Sequence, residues 1–314
     1  MVDLDQDHNP VHEPVMVTEV LVGLDCRPGR LYVDGTVGEG GHATAILDRT
    51  APNGELWGLD RDPAALTAAE ARLTRHTSRF QLFHRSYTQL GELLDRAQVK
   101  EVAGILLDLG LSSYQLQQSH RGFSFAGDEP LDMRFNPEAP EPTAARLLNT
   151  ASQDALEKIF RDYGEERRAR RIARLVVQAR RQKRFETTRQ LVDVIEQAQG
   201  PGGRRGRLHP ATRVFQALRI AVNLELEQLA GFLEQFPSWL EPGGRLVVIS
   251  YHSLEDRLVK QRLLAWERAG VMSRITRKPL TPTPDEVRRN PRARSAKLRI
   301  AAKNWPTVAQ GGES

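Results

Sequence analysis

Cysteine is almost missing: Cys26 stands alone in 314 residues. No disulfide and no cysteine-based metal site can form within the chain, and such usage fits a reducing compartment. No stretch approaches the roughly eighteen consecutive apolar residues that a membrane-spanning helix requires. The N-terminus, Met1-Val-Asp-Leu-Asp-Gln-Asp-His8, is acidic and polar where a secretory signal would be basic and then apolar. These absences predict a soluble, cytoplasmic protein with no membrane partner. The eight histidines are scattered without ligand spacing, so no metal is expected. No internal repeat or low-complexity tract is present. Lysine is scarce beside arginine, and the formal net charge is +5. Arginine's planar, permanently charged fork suits phosphates and base edges, which points to an anionic partner; an arginine-favouring genome is the bland alternative.

What the chain does have is organised around Leu31-Tyr-Val-Asp-Gly-Thr-Val-Gly-Glu-Gly-Gly-His42. It reads as a buried strand, a glycine loop and, from Ala43 to Arg49, a helix. Gly38, Gly40 and Gly41 open backbone conformations closed to residues with a Cβ, so a ligand can lie against the main chain beside a helix N-terminus. Asp60, about 20 positions on, closes the next strand, Leu56-Trp-Gly-Leu-Asp60, where a carboxylate can hold both hydroxyls of a ribose. As Gly38-x-Gly40-x-x-Ala43 the loop nearly satisfies the dinucleotide fingerprint. As Asp34-x-Thr36-x-Gly38-x-Gly40 it has the form of an S-adenosylmethionine loop, with Thr36 where the first glycine often stands. On the loop alone both ligand classes stay open, beside a tight turn with no ligand.

Further strands are predicted at 80–84 and 102–108, with helices at 63–73 and 87–97 and a short helix after Pro14 packed over the glycine loop. That alternation predicts an α/β fold, a Rossmann-like, doubly wound parallel sheet. Ligands on such sheets lie outside the carboxyl ends of the strands, where Asp34, Asp60 and Asp108 all fall; helix capping is the alternative role for these three.

After Asp108 the alternation stops. Leu109–Leu116 and Arg121–Arg134 read as loops and Thr143–Gln199 as helices. Arg161–Arg184 interleaves apolar residues with arginines, so one face would be apolar and the other cationic: either a solvated face or a phosphate-contacting one. Gly200–Pro210 reads as a flexible basic linker. There follow one long helix over Ala211–Glu234, a turn at Pro242, an apolar strand over Arg245–Tyr251, a helix over Leu254–Arg268, a proline- and arginine-rich surface loop over Arg274–Arg294, and an edge strand at Leu298. Residues 1 to about 10 read as a disordered leader. The organisation expected is one doubly wound domain from residues 1–112 and 214–314, interrupted by a helical insertion at 113–213.

Eight motifs occur in order: Val33-Asp-Gly-Thr-Val-Gly-Glu-Gly-Gly-His42, Leu59-Asp-Arg-Asp-Pro63, Ile105-Leu-Leu-Asp-Leu-Gly-Leu-Ser-Ser113, Arg121-Gly-Phe-Ser-Phe125, Pro130-Leu-Asp-Met-Arg134, Tyr163-Gly-Glu-Glu-Arg167, His209-Pro-Ala-Thr-Arg213 and Ser250-Tyr-His-Ser-Leu-Glu-Asp-Arg257. Together they resemble the bacterial ribosomal RNA small-subunit methyltransferase H family, over nearly the whole chain from His12 to about Lys303. The resemblance implies S-adenosylmethionine as cofactor and small-subunit ribosomal RNA as partner, in the assembled or assembling subunit. It also implies methylation of a cytosine N4 amine in the decoding region, with the inserted helical domain recognising RNA; a homodimer is compatible with it. Its cofactor contacts fall on Gly40, Gly41, His42, Asp60, Tyr87, Asp108 and Gln115. Tyr87 and Gln115 rest on the resemblance alone.

A cytosine N4 is a poor nucleophile because its lone pair is delocalised into the ring. Acceptors that hold the amino protons let the nitrogen pyramidalise, and positioning supplies much of the rest. Enzymes of this type often carry Asp, Asn or Ser followed by two prolines and an aromatic at the end of the fourth strand, whereas this chain has Asp108-Leu-Gly-Leu-Ser-Ser113. Asp108 and the carbonyl after it are the expected acceptors, with Asp132, Ser112 or His252 as further catalytic partners. His252 also reads as a core histidine, and Asp132 as half of an internal salt bridge with Arg134. The target base must be unpaired or flipped, and Tyr114, Phe123, Phe125 and Tyr251 are candidates to stack on it. Two rival functions remain. A nicotinamide-dependent oxidoreductase would need a Lys, Tyr or His placed for hydride chemistry, and none is marked out; a non-catalytic RNA-binding protein would have lost the glycines or Asp60, and both are present.

Overall fold

The computed structural model describes residues 14–200 and 209–306. The predicted leader and the arginine-rich part of the linker, 201–208, lie outside the described residues. The chain divides into two compact units, Met1–Gly110 with Ala230–Ser314, and Leu111–Leu229.

The first unit is built on seven strands: β1 (Leu31–Asp34), β2 (Glu55–Asp60), β3 (Phe80–His84), β4 (Val102–Asp108), β5 (Leu240–Ser250), β6 (Met272–Arg274) and β7 (Lys297–Lys303). Their order in the sheet is β3-β2-β1-β4-β5-β7-β6. β1 to β5 run parallel, and β7 and then β6 add antiparallel. This is the doubly wound α/β sheet that the alternation predicts. Every β4 residue but Asp108 is buried, which is why that strand reads as an unbroken apolar run and takes a central place. The strand order reverses between β1 and β4, so the crevice at their carboxyl ends is the place for a ligand.

Two strand expectations change. β7 is not an edge: the three-residue β6, too short to leave a periodic signal, lies outside it. β5 begins at Leu240 and carries Pro242 within it, because a register shift against β4 between Val102 and Gly104 absorbs the irregular stretch.

Helices α1 (Val17–Leu24), α2 (Gly41–Arg49), α3 (Pro63–Leu73) and α4 (Leu90–Arg96) flank the first four strands. Asp62 caps α3 by accepting from the Ala64 N–H at 3.1 Å, and Pro63 occupies the first helical position. The segment leading into α1 packs on the glycine loop as expected: a Cβ on Gly41 would lie 3.0 Å from Pro14 Cγ. Tyr87–Gln89 forms a separate 3-10 turn ahead of α4 rather than one helix through to 97, because Ser86 caps that turn and shares a capping box with Gln89.

The second unit holds α5 (Ser113–Gln117), α6 (Ala144–Thr150), α7 (Gln153–Asp162), α8 (Ala169–Ala179), α9 (Thr188–Gln199) and α10 (Ala211–Asn223), with a long loop between α5 and α6 and only Ala151 and Ser152 between α6 and α7. Leu148, Leu156, Phe160, Ile172, Ile195 and Leu218 are fully buried in one core. Because α10 contributes Ala211, Val214 and Leu218 to that core, it groups with 111–229 rather than with the returning sheet. The helix predicted over Ala211–Glu234 breaks at Leu224, which is left-handed at φ 52°, before α11 (Glu225–Gln235). The break is held by Asn223, buried at 1% exposure, which accepts from the Phe135 N–H at 2.8 Å and donates to the Met133 carbonyl at 2.7 Å. Arg219 clamps Glu225 through two contacts of 2.8 Å. Helices α12 (Ser253–Arg268) and α13 (Pro284–Arg289) complete the chain, the latter inside the segment predicted as a plain loop. Among the described residues no helix is long and apolar enough to cross a membrane.

Candidate active site

The glycine loop is laced to the ends of three strands by its own backbone. Gly35 N–H donates to the Leu106 carbonyl of β4 at 2.9 Å, and Val37 N–H to the Leu59 carbonyl of β2 at 3.0 Å. Gly38 N–H donates to Asp60 Oδ2 at 2.9 Å, and Thr36 N–H to Asp34 Oδ1 at 3.1 Å. Thr36 Oγ1 accepts from the Asp108 N–H at 2.6 Å. Four consecutive loop residues thereby hold Asp34, Asp60 and Asp108 at one edge of the sheet. Gly38 and Gly40 take φ of 51° and 80°, where a Cβ is strained, and Gly40 is the N-cap of α2. A Cβ on Gly40 would also lie 3.2 Å from Ala69 Cα, whereas above Gly38 only the Thr36 carbonyl comes within 3.9 Å. The loop therefore packs tightly on α3 and stays open on the side of Gly38.

Burial shapes the electrostatics. Asp34 is 1% exposed and its Oδ2 has no hydrogen-bond partner. Desolvation lifts its carboxyl to about 7, with His42 and the Thr36 N–H pulling the other way. Burial likewise raises Asp60 to about 6, against the Asp62 and Gly38 N–H groups. His42, 5% exposed on the first turn of α2, has neither ring nitrogen hydrogen-bonded; its Nε2 lies 3.4 Å from Asp108 Oδ2. Burial alone would depress the imidazole, but the Asp108 and Asp34 carboxylates outweigh it and the net shift is upward. A buried imidazole thus sits beside two carboxyl groups, with polar atoms left over to meet a ligand.

Asp108 receives a third contact. Tyr251, a candidate from the sequence to stack on the base, donates its hydroxyl to Asp108 Oδ1 at 2.9 Å. Burial and that carboxylate raise the phenol well above its ordinary value, so it remains a donor. Its ring lies against Gly110, whose Cβ position would be 3.3 Å from Tyr251 Cδ2. Tyr87, named only by resemblance, does stand at the loop: its Cβ is 2.9 Å from where a Gly35 Cβ would be, and its ring meets Phe232 edge-on at 5.5 Å. His252 is the N-cap of α12. Its Nε2 lies 3.1 Å from Glu255 Oε1, and Glu255 Oε2 accepts from the Tyr251 N–H at 2.9 Å. This is the arrangement of a buried helix cap rather than of a free acid–base group.

Gln115, Ser112, Asp132, Phe123 and Phe125 belong to the other unit. Gln115 is 6% exposed and shares a capping box with Ser112, each backbone N–H donating to the other's side chain at 3.1 Å. Asp132 is clamped by Arg134 through contacts of 2.8 Å from Nε and Nη2, which favours the internal salt bridge over a free catalytic carboxylate. Phe123 stacks on Phe135 at 5.8 Å, and Phe125 on His209 at 4.8 Å. Phe123 is buried in that unit's core and Phe125 packs against it, as core rings do. What the sequence reading missed is the part played by Thr36 and by the Tyr251 hydroxyl. The Asp34-x-Thr36 pattern at a strand end was the available signal for the first, and nothing local signals the second.

A family model described as the MraW methylase family matches residues 9–304. Over 301 residues the chain is 50% identical to the Ribosomal RNA small subunit methyltransferase H of Synechococcus sp. (strain JA-2-3B'a(2-13)), covering 93% of this chain and 92% of that one. The protein of the same name from Geobacter sulfurreducens (strain ATCC 51573 / DSM 12127 / PCA) is 48% identical over 307 residues, covering 93% and 98%. That from Nitratidesulfovibrio vulgaris (strain DSM 19637 / Miyazaki F) is 47% identical over 307 residues, covering 93% and 85%.

Proposed function

The chain belongs to the MraW methylase family, and from that premise we propose that it methylates the N4 amine of a cytosine in the decoding region of small-subunit ribosomal RNA. It is an S-adenosylmethionine-dependent ribosomal RNA methyltransferase; the particular nucleotide, an assembled or assembling subunit as substrate, and a cytoplasmic location are our reading.

The observation that carries it is the set of three strand-end carboxylates around a left-handed glycine loop, with Asp34 Oδ2 and both His42 nitrogens buried and unpartnered. These groups fit S-adenosylmethionine, a ligand with a ribose diol, a zwitterionic amino-acid end and a cationic sulfonium. Asp60 is suited to the diol, since the Gly38, Asp62 and Arg61 backbone N–H groups fix its oxygens and lone-pair capacity remains. The glycine backbone and the Asp34–His42 pair suit the amino-acid end, and Tyr87 suits the base. Bound there, S-adenosylmethionine supplies an electrophilic methyl group.

Asp108 is the residue we assign to the acceptor amine. The Tyr251 hydroxyl and the Thr36–backbone contact fix its orientation, and His42 lies beside its second oxygen. An ionised Asp108 accepts a hydrogen bond from the cytosine amine, which localises the nitrogen lone pair, and it can take up the proton released once the N–C bond has formed. Positioning does the remainder, since the nucleophile is held in line rather than deprotonated beforehand.

The test is nucleoside mass mapping of small-subunit ribosomal RNA from a deletion strain, with and without complementation by the native chain and by Asp108→Asn. N4-methylated cytidine should vanish on deletion and return with the native chain alone. Its persistence in the deletion strain would overturn the assignment, and full restoration by Asp108→Asn would remove Asp108 from the chemistry.

A further inference from the structure

Between Arg167 and Phe185 the chain carries nine cationic residues and no acidic one. The structure shows how they are disposed. Ile172, Ala173 and Val176 of α8 are fully buried in the core of the second unit. At about 100° per residue, Arg170, Arg171 and Arg174 fall with Gln178 on the opposite face, and all four are exposed. Arg167 and Arg181, just beyond the two ends of the helix, are exposed as well. Among the described residues none of these five arginines is ion-paired. Those on either side behave differently: Arg161 pairs with Glu157 and Asp162, and Arg189 with Asp193.

The arrangement works against the helix in two ways. Arg170 and Arg174 are like charges four residues apart, and the first turn of α8 has no acidic residue where the helix dipole would favour one. The platform beneath is nevertheless firmly held. Arg180 donates to the Leu148 and Ala151 carbonyls at 2.8 and 2.7 Å, and Arg168 to the Gln199 carbonyl at 2.6 Å. A row of uncompensated guanidinium groups on an anchored helix is complementary to a row of phosphates, which the planar fork can engage through two parallel N–H contacts.

We infer that the exposed arginine face of α8 docks the sugar–phosphate backbone of the RNA substrate. This rests on the ribosomal RNA reading above and adds the surface that grips it. An anionic membrane is the competing occupant of such a patch. It is disfavoured because Ile172 and Val176 are consumed by the core and the half-buried Leu175 and Val177 pack against that same core, so the exposed face offers arginines rather than apolar side chains to a bilayer.

The contact is backbone-directed, so it is insensitive to sequence and sensitive to salt. Each single-strand phosphate contact contributes a slope of about −0.7 in log affinity against log salt. Replacing Arg170, Arg171 and Arg174 together by Gln should flatten the slope by about 2 and weaken binding on the order of 100-fold at 0.1 M salt, with the two proteins converging near 1 M. Fluorescence anisotropy with a labelled transcript of the decoding region reads this directly. In methyl transfer the triple variant should show a raised KM for RNA and an unchanged kcat at saturation, the sign of binding lost equally from ground and transition states. The corresponding triple Lys variant should keep the slope, and a control replacing Arg49, Arg96 and Lys100 by Gln should leave both affinity and slope unaltered. An unchanged slope in the Gln variant, an equal loss in the control, or tighter arginine-dependent binding to phosphatidylglycerol vesicles than to the transcript would overturn the inference. Calorimetry with S-adenosylmethionine separates the two levels. Native protein that takes no methyl donor strikes the enzymatic reading, whereas donor binding with an unchanged salt slope strikes this surface alone.

Discussion

Thr36→Val isolates the contact on which the site geometry turns. Valine has nearly the shape of threonine, so the substitution opens no cavity and leaves the β-branched backbone preference intact. What it removes is the oxygen that accepts the Asp108 N–H at 2.6 Å. An amide left unsatisfied in a half-buried position costs about 1–3 kcal/mol. Taking about 2 kcal/mol, and about 2–4 °C per kcal/mol for a domain of 150–250 residues, the melting temperature should fall by roughly 4–8 °C. The Asp108 end of β4 is also freed to drift from Asp34, so affinity for S-adenosylmethionine should drop by up to about tenfold, equivalent to about 1.4 kcal/mol. Thr36→Ser keeps the oxygen and should recover most of both losses. Differential scanning calorimetry of the apoprotein and titration calorimetry with the methyl donor measure the two quantities. A Val variant that melts within about 1 °C of the native protein and binds the donor equally well would show that the loop is held by its backbone contacts alone.

Two further outcomes follow from buried polar groups. Asp34 and Asp60 titrate at about 7 and about 6 in the fold against an ordinary 3.8, so the folded state holds more protons than the unfolded one between those values. Their contribution is therefore fully present below about pH 4 and is lost as pH rises through about 7; urea unfolding of the apoprotein should show that fall, and Asp34→Asn should remove much of it. In the helical unit, Asn223→Ala strands the Phe135 N–H and the Met133 carbonyl, both now paired with that side chain. The expected cost is roughly 2–4 kcal/mol of urea-measured stability, and a loss under about 1 kcal/mol would mean that water replaces the amide.

Much of the α/β unit was legible because the signals are local. β4 reads as a central strand because six apolar or small residues in a row can be satisfied only between two neighbours, and Gly38 and Gly40 read as a ligand loop because their positive φ is what glycine permits. The acidic strand ends could be placed at one edge before any coordinates, since parallel strands share a carboxyl side. The failures are equally specific. The helix over Ala211–Glu234 carries no proline, its one glycine, Gly231, lies beyond the break, and its interruption at Leu224 depends on Asn223 meeting residues 88 and 90 positions away. His252 reads from the sequence both as a polar partner and as a core histidine, and only the fold shows that it caps α12 with Glu255 beside it.

What the amino-acid order decided by itself was the period of each element, the identity of the glycine turn and the supply of three carboxylates, all properties that neighbouring residues settle through backbone sterics and the alternation of apolar side chains. Only the tertiary fold decided which of those groups meet. The pairing of the Tyr251 hydroxyl with Asp108 spans 143 residues, and that of Thr36 with the Asp108 N–H spans 72. The upward shifts of Asp34 and His42 likewise arise from being enclosed together away from water, a condition that no stretch of chain creates alone.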